Sequence, residues 1–154
     1  MSTLDEQAFW LFSCAVYQQG SAQHTLLNLQ DEQQKNINLC LLLLYLETLN
    51  LQLTEHLMTQ LEAVCKDLDT HLLIPHRAIR KTLKQQFIDH QSYSKIRQQL
   101  LNSELQLEQL QQSELIGVLK HAHLTTIIPS NNLALYLDKN HIKQLKMSLI
   151  ADKP

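Results

Sequence analysis

Asn36-Ile37-Asn38-Leu39-Cys40-Leu41-Leu42-Leu43-Leu44-Tyr45-Leu46 is the stretch on which the fold turns. Asn36 is a cap residue, and its side-chain oxygen can take up one of the N–H groups that a helix start leaves unpaired. From Leu39 to Leu46 no position is polar, so the helix from Ile37 to about Asn50 is apolar nearly all the way round. A surface helix would keep a polar face, so this one belongs at the centre of a bundle. The run is far shorter than the ~20 residues a bilayer-spanning helix needs.

Working outward, Asp5 to Gln18 reads as a first helix, with Phe9, Trp10, Phe12, Cys14, Val16 and Tyr17 as its apolar bulk. Gly20 ends it, and Ser21 can cap a short second helix carrying Leu26, Leu27 and Leu29. A polar break, Asp31 to Lys35, precedes the central helix. Beyond that helix, Thr54 caps a fourth, with Leu57, Leu61, Val64, Leu68 and Leu72 inward at steps of three and four. Pro75 suits the first turn of a fifth helix, whose core face would be Ile79, Leu83 and Phe87. Ser92 opens a long Gln-rich helix to about Leu119, with a break foreseen near Ser113.

The long helix carries two apolar stripes, Ile96/Leu100/Leu107/Leu110 and Leu101/Leu105/Ile116/Leu119. Either it is sandwiched within its own domain, or one stripe over 92–119 meets a partner chain, as in a homodimer. A Thr125–Pro129 link leads to two short segments, Asn132–Leu137 and His141–Ala151. Leu133, Leu135 and Leu137 alternate, so the first of these could be extended instead.

Composition supports the all-α reading. The 154 residues include only 2 Gly and 3 Pro, with aromatics at 5%, whereas Leu and Gln are abundant. Strand-rich folds need more tight turns and more β-branched and aromatic residues. The expectation is one all-helical domain over 1–154, an irregular or orthogonal bundle of six or seven helices around the central one. Its C-terminal helical extension would cover about 125–151.

Formal net charge is -2, so no global excess of positive charge is available for gripping nucleic acid. Cys14, Cys40 and Cys65 lie far apart in apolar contexts and read as buried, reduced thiols. The acidic start Met1-Ser2-Thr3-Leu4-Asp5-Glu6 is unlike a signal peptide, so a cytoplasmic protein is expected, with no membrane association. There are 8 His, yet His121/His123 and His71/His76 are spaced by two and five, which does not set both rings on one helix face. Without a His-Glu-x-x-His run, a Cys pair, a nucleophile elbow or a glycine-rich phosphate loop, no catalytic residue, metal ligand or cofactor is assigned.

Two polar features remain. Arg77, Arg80, Lys81 and Lys84 stand at i, i+3, i+4 and i+7, one continuous basic stripe beside the Ile79/Leu83/Phe87 face. Cations in the first turns of a helix oppose its dipole, so a compensating negative charge is expected. It could be internal, from Asp31 or Glu32, with Asp31–Arg77 or Asp31–Arg80 pairs, or from Asp67 or Asp69. It could also be an external anion, a phosphate or an acidic partner surface. The second feature is the cluster Gln30, Asp31, Asn36 and Asn38, where Asn38 at the mouth of the leucine run reads as a buried amide needing specific partners.

These residues carry a resemblance. Phe9-Trp10-x-Phe12-Ser13, Tyr17, Leu27-x-Leu29-Gln30-Asp31 and Asn38-Leu39 resemble a small proteobacterial family of unknown function, DUF2390. Pro75-x-Arg77-x-x-Arg80-Lys81-x-x-Lys84 is similar to its second signature, and Tyr93 with Glu104-Leu105 and Glu108-Gln109 to its third. The resemblance spans about 9–119. Gln34 stands where the family usually has Gly, which argues against a tight glycine turn there, and Tyr45 where it often has Trp. The resemblance implies no activity.

The leading functional expectation is a non-enzymatic cytoplasmic adaptor that meets a protein partner through the basic stripe. The runner-up is an RNA- or ribosome-associated factor using the same cations on phosphates. A third is a small-ligand binder or enzyme with a polar pocket near Asp31, Asn38 and Arg77.

Overall fold

The computed structural model describes residues 4–150, and Ala151, the foreseen end of the last helix, lies outside them. It is an all-α bundle with a two-strand ribbon. In chain order it runs α1 (Glu6–Tyr17), α2 (Ala22–Gln33), α3 (Ile37–Thr48), β1 (Leu51–Gln52), α4 (Glu55–Leu68), a π turn (Asp69–Leu73), α5 (Ile74–Phe87), α6 (Tyr93–Lys120), β2 (Thr125–Thr126), a 3-10 turn (Leu133–Leu135) and α7 (Lys139–Ser148).

The central helix sits where its composition demands. Every residue of α3 from Asn38 to Leu44, and Leu46 beyond, is buried. Phe9, Leu26, Leu61, Leu115, Ile116 and Leu145, from five other helices, close the core around it. Tyr45 stacks on Phe9 with ring centroids 5.4 Å apart and tilts against Phe12 at 5.1 Å, so the ring expected as a variant of Trp joins α3 to α1.

The caps on α3 and α4 are those the sequence calls for. Asn36 Oδ1 accepts from the Leu39 N–H at 2.8 Å, and Thr54 Oγ1 from the Leu57 N–H at 3.1 Å. Ser21 and Ser92 precede their helices without any side-chain cap bond. The polar stretch Asp31–Lys35 is not a break over its whole length, because α2 runs on to Gln33. The turn falls at Gln34, which takes the left-handed conformation with φ 56° while the Lys35 N–H reaches back to the Leu29 carbonyl at 3.0 Å. The tight turn therefore exists without the glycine, and Gln34 bears its backbone strain.

The α4–α5 region departs most from expectation. No loop separates the two helices: α4, the π turn and α5 form one continuous rod from Glu55 to Phe87. The Ile74 N–H bonds to the Asp69 carbonyl, an i→i−5 bond, so the register shifts by one residue just ahead of Pro75. Pro75 stands in the first turn of α5 as foreseen, but that helix continues the rod without a loop, so the stripe that follows faces no free helix N-terminus. α5 buries no residue at all. Ile79 is 57% exposed and Phe87 48%, so the foreseen core face is a surface, and Leu72 at 38% lies outside as well. The cause is tertiary: α5 has only α6 beside it, and the pair extends beyond the core as a helical arm.

α6 is unbroken through Ser113. Its buried row, Gln111, Gln112, Leu115, Ile116 and Leu119, is confined to its C-terminal half. Ile96, Leu105 and Leu110 are exposed, so neither apolar stripe is buried along its length.

The C-terminal segment is latched onto the bundle by polar contacts. β1 pairs antiparallel with β2, Leu51 opposite Thr126. Asn132 is fully buried; its Oδ1 accepts from the Leu53 N–H at 2.8 Å and its Nδ2 donates to the Leu51 carbonyl at 2.7 Å. Glu47 accepts from the Asn132 and Leu133 N–H groups at 2.9 Å each, which holds 133–135 as a 3-10 turn and not as a strand. α7, capped by Asp138, packs on α2.

Candidate functional site

Three polar sets meet where α1, the start of α3, the π turn, α5 and the middle of α6 converge. The first is a buried seam. Asp69 projects from the π turn and accepts from Asn36 Nδ2 at 2.9 Å and from Gln111 Nε2 at 2.9 Å. A carboxylate only accepts, so both amides must turn their NH2 groups toward it. Gln111 Oε1 is then left to accept, from Asn38 Nδ2 at 2.9 Å and from Asn36 Nδ2 at 3.1 Å. Asn38 Oδ1 in turn accepts from Gln112 Nε2 at 3.0 Å, and Gln112 Nε2 also donates to Ser13 Oγ at 3.0 Å. The orientation passes from amide to amide and ends at Gln112 Oε1, which is buried without a partner. The backbone N–H of Asn36 donates to the Tyr136 hydroxyl at 2.8 Å, tying the C-terminal segment to the seam.

The second set is a ladder of ion pairs between α5 and α6. Arg77 Nη2 meets Glu108 Oε1 at 3.1 Å, and Arg80 Nε meets Glu104 Oε1 at 3.0 Å. Arg77 Nε is also 3.8 Å from Glu104, and His76 Nδ1, buried without a hydrogen-bond partner, is 3.9 Å from it. The compensating acids are thus on α6. Asp31 and Glu32 lie exposed on α2, Asp69 serves the seam, and Asp67 meets His71 alone among the described residues, at 3.5 Å. The reason is register: α5 and α6 pack side by side, so the inner edge of the basic stripe falls against the glutamates spaced by four on α6. Of the stripe, Lys81 and Lys84 are exposed and make no ion pair among the described residues.

The third set is a cleft of about 310 Å³, lined by Trp10, Ser13, Tyr17, Asn38, Glu104, Leu105, Glu108 and Gln112 among others. Burial raises the Glu108 carboxyl above the ordinary range, although Arg77 pulls against it. Burial, reinforced by Glu108, also raises the Tyr17 hydroxyl. A larger depression of about 930 Å³ lies between α2 and α7, lined by His24, Asn28, Glu32, His141 and Met147 among others, apart from both polar sets.

The four residues of the sequence cluster divide. Asn36 and Asn38 belong to the seam; Gln30 and Asp31 make no hydrogen bond in it and do not line the cleft. Gln111 and Gln112, 1% and 3% exposed, were not singled out from sequence. Their signal was present: Gln111 is in helical register with Leu115 and Leu119, and Gln112 with Ile116, so both stand on an apolar row.

A family model for proteins of unknown function, DUF2390, matches residues 8–115. The chain belongs to the DUF2390 family. The match takes in the α1 wall of the cleft, the seam from Ser13 to Gln112 and both ion-paired arginines. Within this DUF2390 chain, Tyr136 and α7 lie beyond the matched span. No curated protein and no solved structure matches the chain at a significant level. Among the described residues no three His, Cys, Asp or Glu side chains are grouped to hold a metal, and no helix is long and apolar enough to cross a membrane.

Proposed function

We propose that the protein is an interaction or adaptor protein whose docking surface is the α5–α6 arm, and that its partner presents an acidic amphipathic segment. The observation that carries this reading is that α5, a helix of 14 residues, buries none of them. Its apolar side chains form shallow surface depressions instead, at Ile79, Leu83 and Phe87 along α5 and past Phe87 to Tyr93 and Ile96 on α6. Exposed apolar surface held on a rigid helical pair is what a helix-in-groove partner needs.

Charge supplies the partner's chemistry. Residues 81–103 carry Lys81, Lys84, Lys95 and Arg97 against the single acid Asp89, in a chain whose net charge is -2. Lys84 stands three residues from Phe87, one turn away on the same helix. An acidic rim around an apolar stripe complements this surface, whereas two such basic arms repel and a symmetric dimer through them is disfavoured. Arg77 and Arg80 act in this reading as struts that fix α5 on α6. Three free thiols, two of them sealed in the core, suit a reducing compartment, and we take it to be the cytoplasm.

The test compares recovery of binders by the tagged wild-type chain and by Ile79→Glu and Phe87→Glu variants, with and without nuclease. Both positions are largely exposed, so the variants should fold with stability changed by about 0.5 kcal/mol or less. A partner that survives nuclease, is lost in both variants, and cross-links from position 82 through an acidic amphipathic segment supports the reading. Material released by nuclease would instead make the arm a nucleic-acid surface, with Phe87 and Tyr93 beside the cations. A partner indifferent to both substitutions would overturn the arm as docking site.

A further inference from the structure

Because α5 buries none of its 14 residues, its attachment to α6 rests on the ion-pair ladder more than on packing. An element with few buried apolar contacts opens locally at low free energy, so a change of charge in its attachment is felt there first.

His76 stands at the root of that ladder, in the first turn of α5 beside the π turn. Its side chain is 14% exposed, and Nδ1 is buried with no hydrogen-bond partner, 3.9 Å from Glu104 Oε1. That oxygen already accepts from Arg80 Nε at 3.0 Å. His76 and Arg80 are four residues apart, so the two span one turn of α5 and converge on a single carboxylate. A neutral ring leaves this grip incomplete. At 3.9 Å there is no hydrogen bond, and Nδ1 offers Glu104 either an unbonded N–H or a lone pair. An imidazolium carries a charge and a donor on both nitrogens, and a movement of about 1 Å would close the contact. The exposed part of the ring gives the proton its route from solvent.

The surrounding charges favour the same state. α6 and the π turn pack against α5. α6 contributes Glu104 and Glu108, and the π turn contributes Asp69, which acts on Glu108 together with Arg77 and Glu104. His71, also in the π turn, is exposed and pairs with Asp67 instead. α5 itself supplies Arg77 and Arg80. Tyr17 on α1 adjoins the set and stays neutral. Three acids against two arginines leave one negative charge, and a charged His76 cancels it.

We propose that His76 is a proton-operated clasp that pins the root of the α5–α6 arm onto Glu104 as pH falls. With the ring neutral, Arg77 and Arg80 hold α5; with it charged, His76 and Arg80 grip Glu104 together across one turn. The arm stability linked to this group is present in acid and is lost as pH rises and the ring gives up its proton. The docking surface then stiffens in acid. That consequence rests on the docking reading, whereas the clasp does not, and the two fail separately.

The experiment measures hydrogen exchange at the amides of residues 78–84, as protection factors at pH 8 and pH 6, in the full chain and in His76→Gln. The ring nitrogen shifts of His76 are followed in the wild type over the same range. Protection factors remove the intrinsic pH dependence of exchange, and Glu108 is present in both proteins, so its contribution is common to them. The expected result is that His76 gains its charge over this range and that wild-type protection along α5 rises by about fivefold or more, while His76→Gln changes by less than about twofold. His76 lies outside the core, so the variant keeps the bundle, and the ring titration needs no variant at all. A ring that holds one protonation state throughout, equal changes in the two proteins, or wild-type protection that is unchanged or lower at pH 6 would overturn the clasp.

Discussion

Gln111 Nε2 on α6 donates to Asp69 Oδ1 in the π turn at 2.9 Å, and this bond sets the direction of every amide in the buried seam. Because Asp69 also accepts from Asn36, the residue that caps α3, the register shift between α4 and α5 is coupled to the start of the central helix. Replacing Asp69 by Asn presents an NH2 group to at least one donor that now has an acceptor. Asp69→Asn should lower stability by about 1–3 kcal/mol, read as a reduced urea midpoint with an unchanged m-value. A midpoint equal to wild type would mean the seam does not depend on this carboxylate.

Glu108 gives the stability a pH dependence of definite sign. Burial raises its carboxyl in the folded protein, outweighing Arg77, so the folded state holds this proton to higher pH than the unfolded chain does. Stability at this site is therefore lost as pH rises from the ordinary Glu value, about 4.3, through the folded midpoint. The wild-type advantage over Glu108→Gln should shrink across that window and level off above it. Paired denaturation curves measure this, and an advantage that grows with pH would contradict the sign.

The three thiols should separate cleanly. Cys14 is exposed, contrary to its reading as a buried residue, because it stands on the cleft between α1, α3 and α6 and not in the core. Burial pushes the Cys40 thiol up to about 12 and raises Cys65 further. With an aromatic disulfide reagent at pH 8, one thiol should react promptly, and the Cys14→Ser variant should show no prompt reaction. Prompt reaction of two or three thiols would mean that the α3–α4 core opens readily.

Gln34 holds a left-handed turn, φ 56° and ψ 35°, that glycine adopts without strain. Gln34→Gly should raise stability by about 0.5–1 kcal/mol, the relief of strain exceeding the added chain entropy. Thermal unfolding would show it as a higher midpoint; a lower one would mean that the Gln34 side chain makes a compensating contribution.

Tyr136 lies beyond the family match, and its hydroxyl accepts from the Asn36 N–H at 2.8 Å with Lys35 4.5 Å above its ring. Tyr136→Phe keeps the ring and leaves that N–H unpaired, so it should cost about 1–3 kcal/mol. Hydrogen exchange at the Asn36 amide should accelerate with it. If neither quantity changes, the C-terminal segment is not fastening the start of α3.

Much of the fold is legible in local sequence. The leucine run from Leu39 to Leu46 has no polar face, so its burial follows from composition alone. Asn36 and Thr54 cap as their chemistry requires, since a cap is a contact across three residues. The family, too, was legible in the order and spacing of short signatures. What only the tertiary structure decided are relationships between segments distant in sequence. Ile79, Leu83 and Phe87 have the periodicity of a core face, yet periodicity records only that a face is apolar and not what covers it. Arg77 and Arg80 required acids, but which acids depended on α5 lying beside α6, and the one-residue shift at the π turn sets which side of α5 faces it. Gln111 and Gln112 are polar by sequence and buried by packing, because their hydrogen-bond partners come from α1, α3 and the π turn. Hydrophobicity and capping act over a few residues and can be read along the chain; the pairing of buried polar groups depends on which helices meet, and that is fixed only when the bundle closes.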